Sequence, residues 1–183
     1  MRPLIAGLVL LLAGLGQPVH AAQDDPRLDA LFSSLGEAGT PDAAADIEAE
    51  IWSIWQEIDD SSSERLLRQG SDAMAKRVFP VAIISFNRLI ARSPDFAEAW
   101  NRRATLHYLM GNDAASIKDI EKTLALEPRH FGALSGLGLI MMRNRRPAVA
   151  LRSFEAALEV HPYLPAARAH LEPLRELLEG EPT

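Results

Sequence analysis

Histidines are the first side chains in this sequence that could do chemistry. Beyond His20 there are four, His107, His130, His161 and His170. An imidazole can ligate a metal or move a proton near neutral pH. A helical metal site needs two ligands at i and i+4, and none of these histidines is paired at that spacing. The 183 residues contain no cysteine. That excludes disulfides, thiolate zinc sites, iron–sulfur clusters and cysteine nucleophiles. His130 and His161 stand beside Pro128 and Pro162 and read as capping or turn histidines. Asp24-Asp25, Asp59-Asp60 and Glu48/Glu50 are carboxylate pairs of the kind acid–base catalysis uses. Their places at the ends of predicted helices make them solvated charges instead. Gly136-Leu137-Gly138 comes nearest to a phosphate loop but lacks the strand before it. No G-x-S-x-G elbow or P-loop occurs. The expectation is a chain that is not an enzyme, with no cofactor and no metal.

Charge offers a second lead. Arg102, Arg103, Arg129, Arg143, Arg145 and Arg146 concentrate positive charge in the second half, while residues 24–64 are acid-rich. Two readings stand: pairing with carboxylates on adjacent turns, or attraction to an acidic partner or an anionic envelope surface. The formal net charge of -6 argues against general nucleic-acid binding.

The elements that must position these residues begin after an address. Arg2 precedes an apolar run from Leu4 to Leu15, and Gly16-Gln17-Pro18 breaks it. Val19-His20-Ala21 then offers the short residues a signal peptidase reads. A helix over that run rises only about 18 Å, short of a hydrocarbon core of roughly 30 Å. Residues 1–21 read as a signal peptide cleaved after Ala21 or Ala22, which predicts a periplasmic or secreted product with no membrane span in the mature chain.

A fixed period organises the rest. Pro94, Pro128 and Pro162 are spaced by 34 residues and define blocks 63–96, 97–130 and 131–164. Ala82, Ser116 and Ala150 then share a small column, and Phe86, Ile120 and Phe154 a large apolar one. Gly70, Ala104 and Gly138 share another small column, and Leu66, Trp100 and Leu134 another large one. Small residues let two helices approach, and the large ones fill the space between neighbouring pairs. Pro80 and Pro147 suit the first turn of a helix, whereas the three spaced prolines end helices. Ser61 and Glu64 are placed as a capping box for the first repeat helix.

This pattern closely resembles the tetratricopeptide repeat, with Leu134, Leu137, Gly138, Ala150, Phe154, Ala157 and Pro162 carrying the fullest match. Arg103 and Gln69 depart from its Leu column, and Ala73, His107 and Met141 from its aromatic column. The resemblance implies an all-α fold, a right-handed α-solenoid of helix–turn–helix repeats. It also implies a concave groove lined by the first helix of each repeat. The groove columns are then Glu64, Leu67, Ser71 and Met74; Glu98, Asn101, Thr105 and Tyr108; and Gly132, Ser135, Leu139 and Met142. Such a mixture suits a peptide or helix laid in the groove, or simple packing on the neighbouring helix. Some family members clamp a C-terminal carboxylate; only Asn101 and Arg102 resemble that set, and Arg102 lies one column away.

The flanks read as caps. Leu28, Leu31, Phe32 and Leu35, then Ile47, Ile51, Ile54, Trp55 and Ile58, recur at helical spacing on either side of Gly36–Gly39. Within 22–62 they predict a helix pair shielding the first repeat, with Trp52 and Trp55 as core or interface residues and not a cofactor box. Residues 165–183 predict a C-terminal capping helix and tail. The expected function is protein–protein interaction as an adaptor or assembly factor of the bacterial envelope, with a protein or peptide partner. An enzyme accessory role, an unrecognised catalytic site, or self-association through a repeat edge stand as alternatives.

Overall fold

The computed structural model describes residues 22–180; the predicted signal peptide lies outside them, as does the tail 181–183. After a short 3-10 turn at Ala22–Asp24, the described elements are α1 (Arg27–Gly36), α2 (Pro41–Trp55), α3 (Ser61–Ala75), α4 (Phe79–Arg92), α5 (Ala97–Leu109), α6 (Asp113–Leu126), α7 (Phe131–Arg143), α8 (Pro147–Val160) and α9 (Pro165–Glu179). No strand is present among the described residues. None of these helices is long and apolar enough to cross a membrane. Pairs α3–α4, α5–α6 and α7–α8 pack as antiparallel hairpins, each second helix lies on the next first helix, and α9 packs on α8. This is an all-α solenoid of helical repeats.

Local chemistry sets the helix boundaries. Pro41, Pro80, Pro147 and Pro165 occupy first-turn positions, where a missing N–H costs nothing. Pro94, Pro128 and Pro162 lie just past the ends of α4, α6 and α8. The expected capping box at Ser61 is not formed. Asp60 caps α3 instead, accepting the Ser63 backbone N–H at 2.8 Å and the Ser63 hydroxyl at 2.7 Å. Its carboxylate also receives the Arg92 guanidinium, which a serine hydroxyl cannot match. The Arg92 hydrogen bond, then those from Ser63, hold Asp60 well below the usual carboxylate range.

The repeat columns are matched pairs in space. Gly70 lies against Phe86 and Gly138 against Phe154, so closely that a Cβ would stand 2.5 Å and 2.7 Å from the rings. In the second repeat the corresponding pair is Ala104 with the smaller Ile120, both buried. Phe86 and Phe154 are fully buried.

The N-terminal pair α1–α2 does not shield the first repeat. Leu28, Leu35, Ile51, Ile54 and Trp55 join one core with Ala104, Ile120, Phe131, Ala133 and Phe154 of the second and third repeats. A second core joins the first repeat to α5 of the second, around Leu67, Phe86, Leu89, Ala99 and Leu106. Two columns give the reason. Ala99 and Ala133, and likewise Leu106 and Ile140, are buried against the preceding repeat. The same columns in the first repeat hold Arg65 and Asp72, both exposed. In those two columns the first repeat presents charges to water where the later repeats present apolar side chains to a neighbour.

Candidate partner-binding groove

The groove is assembled on α5 and α7, and the N-terminal pair closes one end of it. Trp55 stacks on the His130 ring with centroids 4.2 Å apart and planes 7° apart. Trp52 meets His130 and Phe131 edge-on, at 5.4 Å in each case. Gly132, a predicted groove position, leaves room for that ring: a Cβ there would be 2.8 Å from Trp52. Polar contacts hold the same seam. Glu48 meets His161 Nε2 at 3.0 Å, and Arg129 donates to Asp29 at 2.7 Å while lying 4.4 Å above the Phe32 ring.

Glu98 and His130 form the hinge between the second and third repeats. His130 Nδ1 accepts the Ala133 backbone N–H at 3.1 Å and so caps α7. With Nδ1 accepting, the ring proton sits on Nε2, which faces Glu98 Oε2 at 3.2 Å. Asn101 donates to the same oxygen at 2.8 Å, and Arg102 pairs with Oε1. Burial alone raises the Glu98 carboxyl; the His130 hydrogen bond and the Arg102 charge outweigh it and hold the group below its usual range. The sequence marked His130 as a cap but gave no sign of its carboxylate or its tryptophan.

The structure therefore divides the predicted groove residues. Glu98 is 1% exposed and Asn101 8%, so Glu98 is a structural hub and Asn101 is tied to it. Arg102 is spent on Glu98, which removes the cation a carboxylate clamp would need. Leu67 is buried where the first repeat packs on α5, and Ser71 and Met74 are half-buried; none of the three borders the cavity between α5 and α7. Glu64 pairs with Arg68 on an exposed surface. Thr105 is exposed, Tyr108 and Leu139 are half-buried, Ser135 is buried and Met142 is exposed. Asn101, Thr105, Tyr108, Ser135 and Leu139 surround one cavity of about 360 Å³. Trp52 and Glu48 of α2 wall it where α7 begins, and Phe131, Ile120 and Ile140 make its lining mostly apolar. The Arg143 guanidinium lies 4.0 Å above the Tyr108 ring, fixing one side of the opening. Trp52 and Glu48 were absent from the predicted groove because periodicity places a helix pair without saying where it docks.

Comparison with known proteins agrees with the repeat fold. The family profile described as tetratricopeptide repeat matches residues 67–130 and 136–172. A TPR repeat-containing protein of Rhizobium etli is 38% identical over 157 residues, covering 86% of this chain and 77% of the relative. Small glutamine-rich tetratricopeptide repeat-containing protein 2 of Saccharomyces cerevisiae is 27% identical, over 70% of this chain and only 37% of its own length. Among solved structures, the first TPR of Spaghetti (RPAP3) bound to the HSP90 peptide SRMEEVD superposes with TM-score 0.63 at 19% identity, covering 67% of this chain and 97% of that one. The Sgt2 TPR domain from Aspergillus fumigatus superposes with TM-score 0.62 at 22% identity, over 68% and 87%. The shared arrangement of paired helices, and the match along more than half of the sequence, make this chain a member of the tetratricopeptide repeat family.

Proposed function

We propose that the protein is a non-catalytic interaction module, an adaptor or assembly factor of the bacterial envelope. It holds a peptide or helix of a partner protein between α5 and α7. The observation that carries this reading is the cavity of about 360 Å³ bordered by Thr105, Tyr108 and Leu139 and closed at one end by Trp52. Its size is at the small end of ligand sites, and its lining is apolar with a few hydroxyl and amide groups. That suits one or two apolar side chains of a partner, oriented by hydrogen bonds at the rim. The related domain of Spaghetti was solved with a peptide bound, which supports the same class of ligand here. Acidic C-terminal capture is disfavoured, because Glu98 already neutralises Arg102. Export is supported by the leader pattern of residues 1–21.

The test is capture of partners from the cells that make the protein. Thr105→Arg with Tyr108→Ala should abolish capture while helical circular dichroism is unchanged. Retained capture by that variant would overturn the groove as the binding site.

A further inference from the structure

We propose that the turns joining the two helices within each repeat form a docking edge for an anionic lipid bilayer. Arg102 is paired with Glu98, Arg103 with Asp119, Arg129 with Glu127 and Asp29, and Arg143 with Asp113. Arg145 and Arg146, in the turn between α7 and α8, are exposed and have no ion pair among the described residues. The matching turn of the first repeat, between α3 and α4, carries Lys76 and Arg77, also exposed.

Backbone conformation singles out the same positions. Arg77, Gly111 and Arg145 share one column, and all three are left-handed, with φ of 58°, 77° and 55°. Glycine adopts that conformation freely, and the middle repeat uses it. The outer two hold arginine there against the backbone's preference. Apolar side chains crowd the same edge: Val78 is 46% exposed, Leu109 45%, Met110 41% and Met142 37%. With neighbouring helices packed 8–10 Å apart, three such turns make a row roughly 20 Å long. The opposite edge, where α7 begins, lies under the N-terminal helix pair.

Apolar tips interleaved with cations at one level match a bilayer interface, where the tips enter the headgroup region and the cations meet lipid phosphates. The acidic groups near the row are Asp72, Asp113, which Arg143 neutralises, and Glu176 and Glu179 at the end of α9. The footprint therefore covers the three repeat turns and stops before the end of α9. The chain's net negative charge does not cancel the edge, because charges beyond a Debye length of about 8 Å are screened. This inference is independent of the groove reading.

Flotation with vesicles tests it, using the full chain and the chain beginning at Ala22. Equal parts phosphatidylglycerol and phosphatidylcholine should bind both chains at about 0.1 M salt and release most of the Ala22 chain at about 0.5 M. Pure phosphatidylcholine should bind the Ala22 chain at least about tenfold less. Lys76→Glu/Arg77→Glu and Arg145→Glu/Arg146→Glu should each cut anionic binding by about tenfold, whereas Lys118→Glu/Arg152→Glu on the outer helices should not. Leu109→Ser/Met142→Ser should weaken it as well. Should a reversed pair fail the circular dichroism check, Arg77→Gly/Arg145→Gly removes two charges while relieving the backbone, and a loss of several-fold is expected. Equal binding of the Ala22 chain to both vesicle types, or binding indifferent to the charge reversals, overturns the proposal. Binding to polyglutamate as tight as to vesicles, indifferent to Leu109 and Met142, overturns it in favour of an acidic protein.

Discussion

The Cβ that Gly138 lacks is space taken by Phe154: an added methyl would stand 2.7 Å from the ring, which is fully buried. The first repeat repeats the relationship with Gly70 and Phe86, and the second replaces both partners together, as Ala104 and Ile120. Gly138→Ala should therefore destabilise the protein by about 1–3 kcal/mol through overpacking, despite alanine's better helix propensity. Adding Phe154→Ile reproduces the second repeat's pair and should recover part of the loss. A urea-unfolding double-mutant cycle should show a favourable coupling of about 1 kcal/mol or more; simple additivity would contradict the pairing.

The N-terminal pair is a structural wall and not a loose leader. Trp55 is 2% exposed and stacked on His130. Trp55→Ala should cost about 3–5 kcal/mol, measured by chemical denaturation. Gly132→Ala should push Trp52 from its seat with a smaller loss, and the indole emission should shift toward that of a solvated ring. An unchanged spectrum would place Trp52 elsewhere.

How far these relationships were legible in the sequence depends on what carries them. Periodicity of size along one chain revealed the paired columns, because Gly138 and Phe154 belong to the same hairpin and their spacing recurs. It also marked the boundaries set by prolines. The docking of α1–α2 was not legible, because a helix pair's apolar face does not name its partner. A signal did exist in the exposed Arg65 and Asp72, which stand where later repeats bury Ala99 and Leu106. Glu98 was readable as a groove position but not as a buried hub. Its partners His130 and Arg102 come from the N-cap of α7, 32 residues on, and from its own helix, and only the fold brings the histidine to it.

Acid should unfold the protein through Glu98. Its carboxyl lies below the ordinary value of 4.5 when folded, so its stabilisation is fully present above that value and fades as pH falls through the lower folded one. His107, lowered by burial and by Arg103 despite Asp119, acts with the same sign on acidification. Glu98→Gln should lose about 2 kcal/mol at neutral pH and flatten the stability curve below about pH 4.5. An unchanged acid limb in the variant would assign the pH dependence to other groups, such as Asp60.

Removing residues 165–183 should uncover the last repeat. Ala167 and Leu174 are buried, and the His170 ring stacks on Phe154 at 5.0 Å. The truncated chain should melt several degrees lower or more, consistent with losing about 2 kcal/mol or more of apolar burial. An unchanged melting temperature would deny α9 its capping role.

Partner binding between α5 and α7 is tested most directly by a photo-crosslinking amino acid placed at Thr105 in cells that make the protein. Thr105 is exposed and borders the cavity. The same amino acid at Arg152, exposed on α8, serves as the comparison. The predicted result is a discrete crosslinked product from position 105, absent from position 152 and lost when Tyr108→Ala is added. Equal products from both positions, or a product only from position 152, would contradict the groove as the functional site.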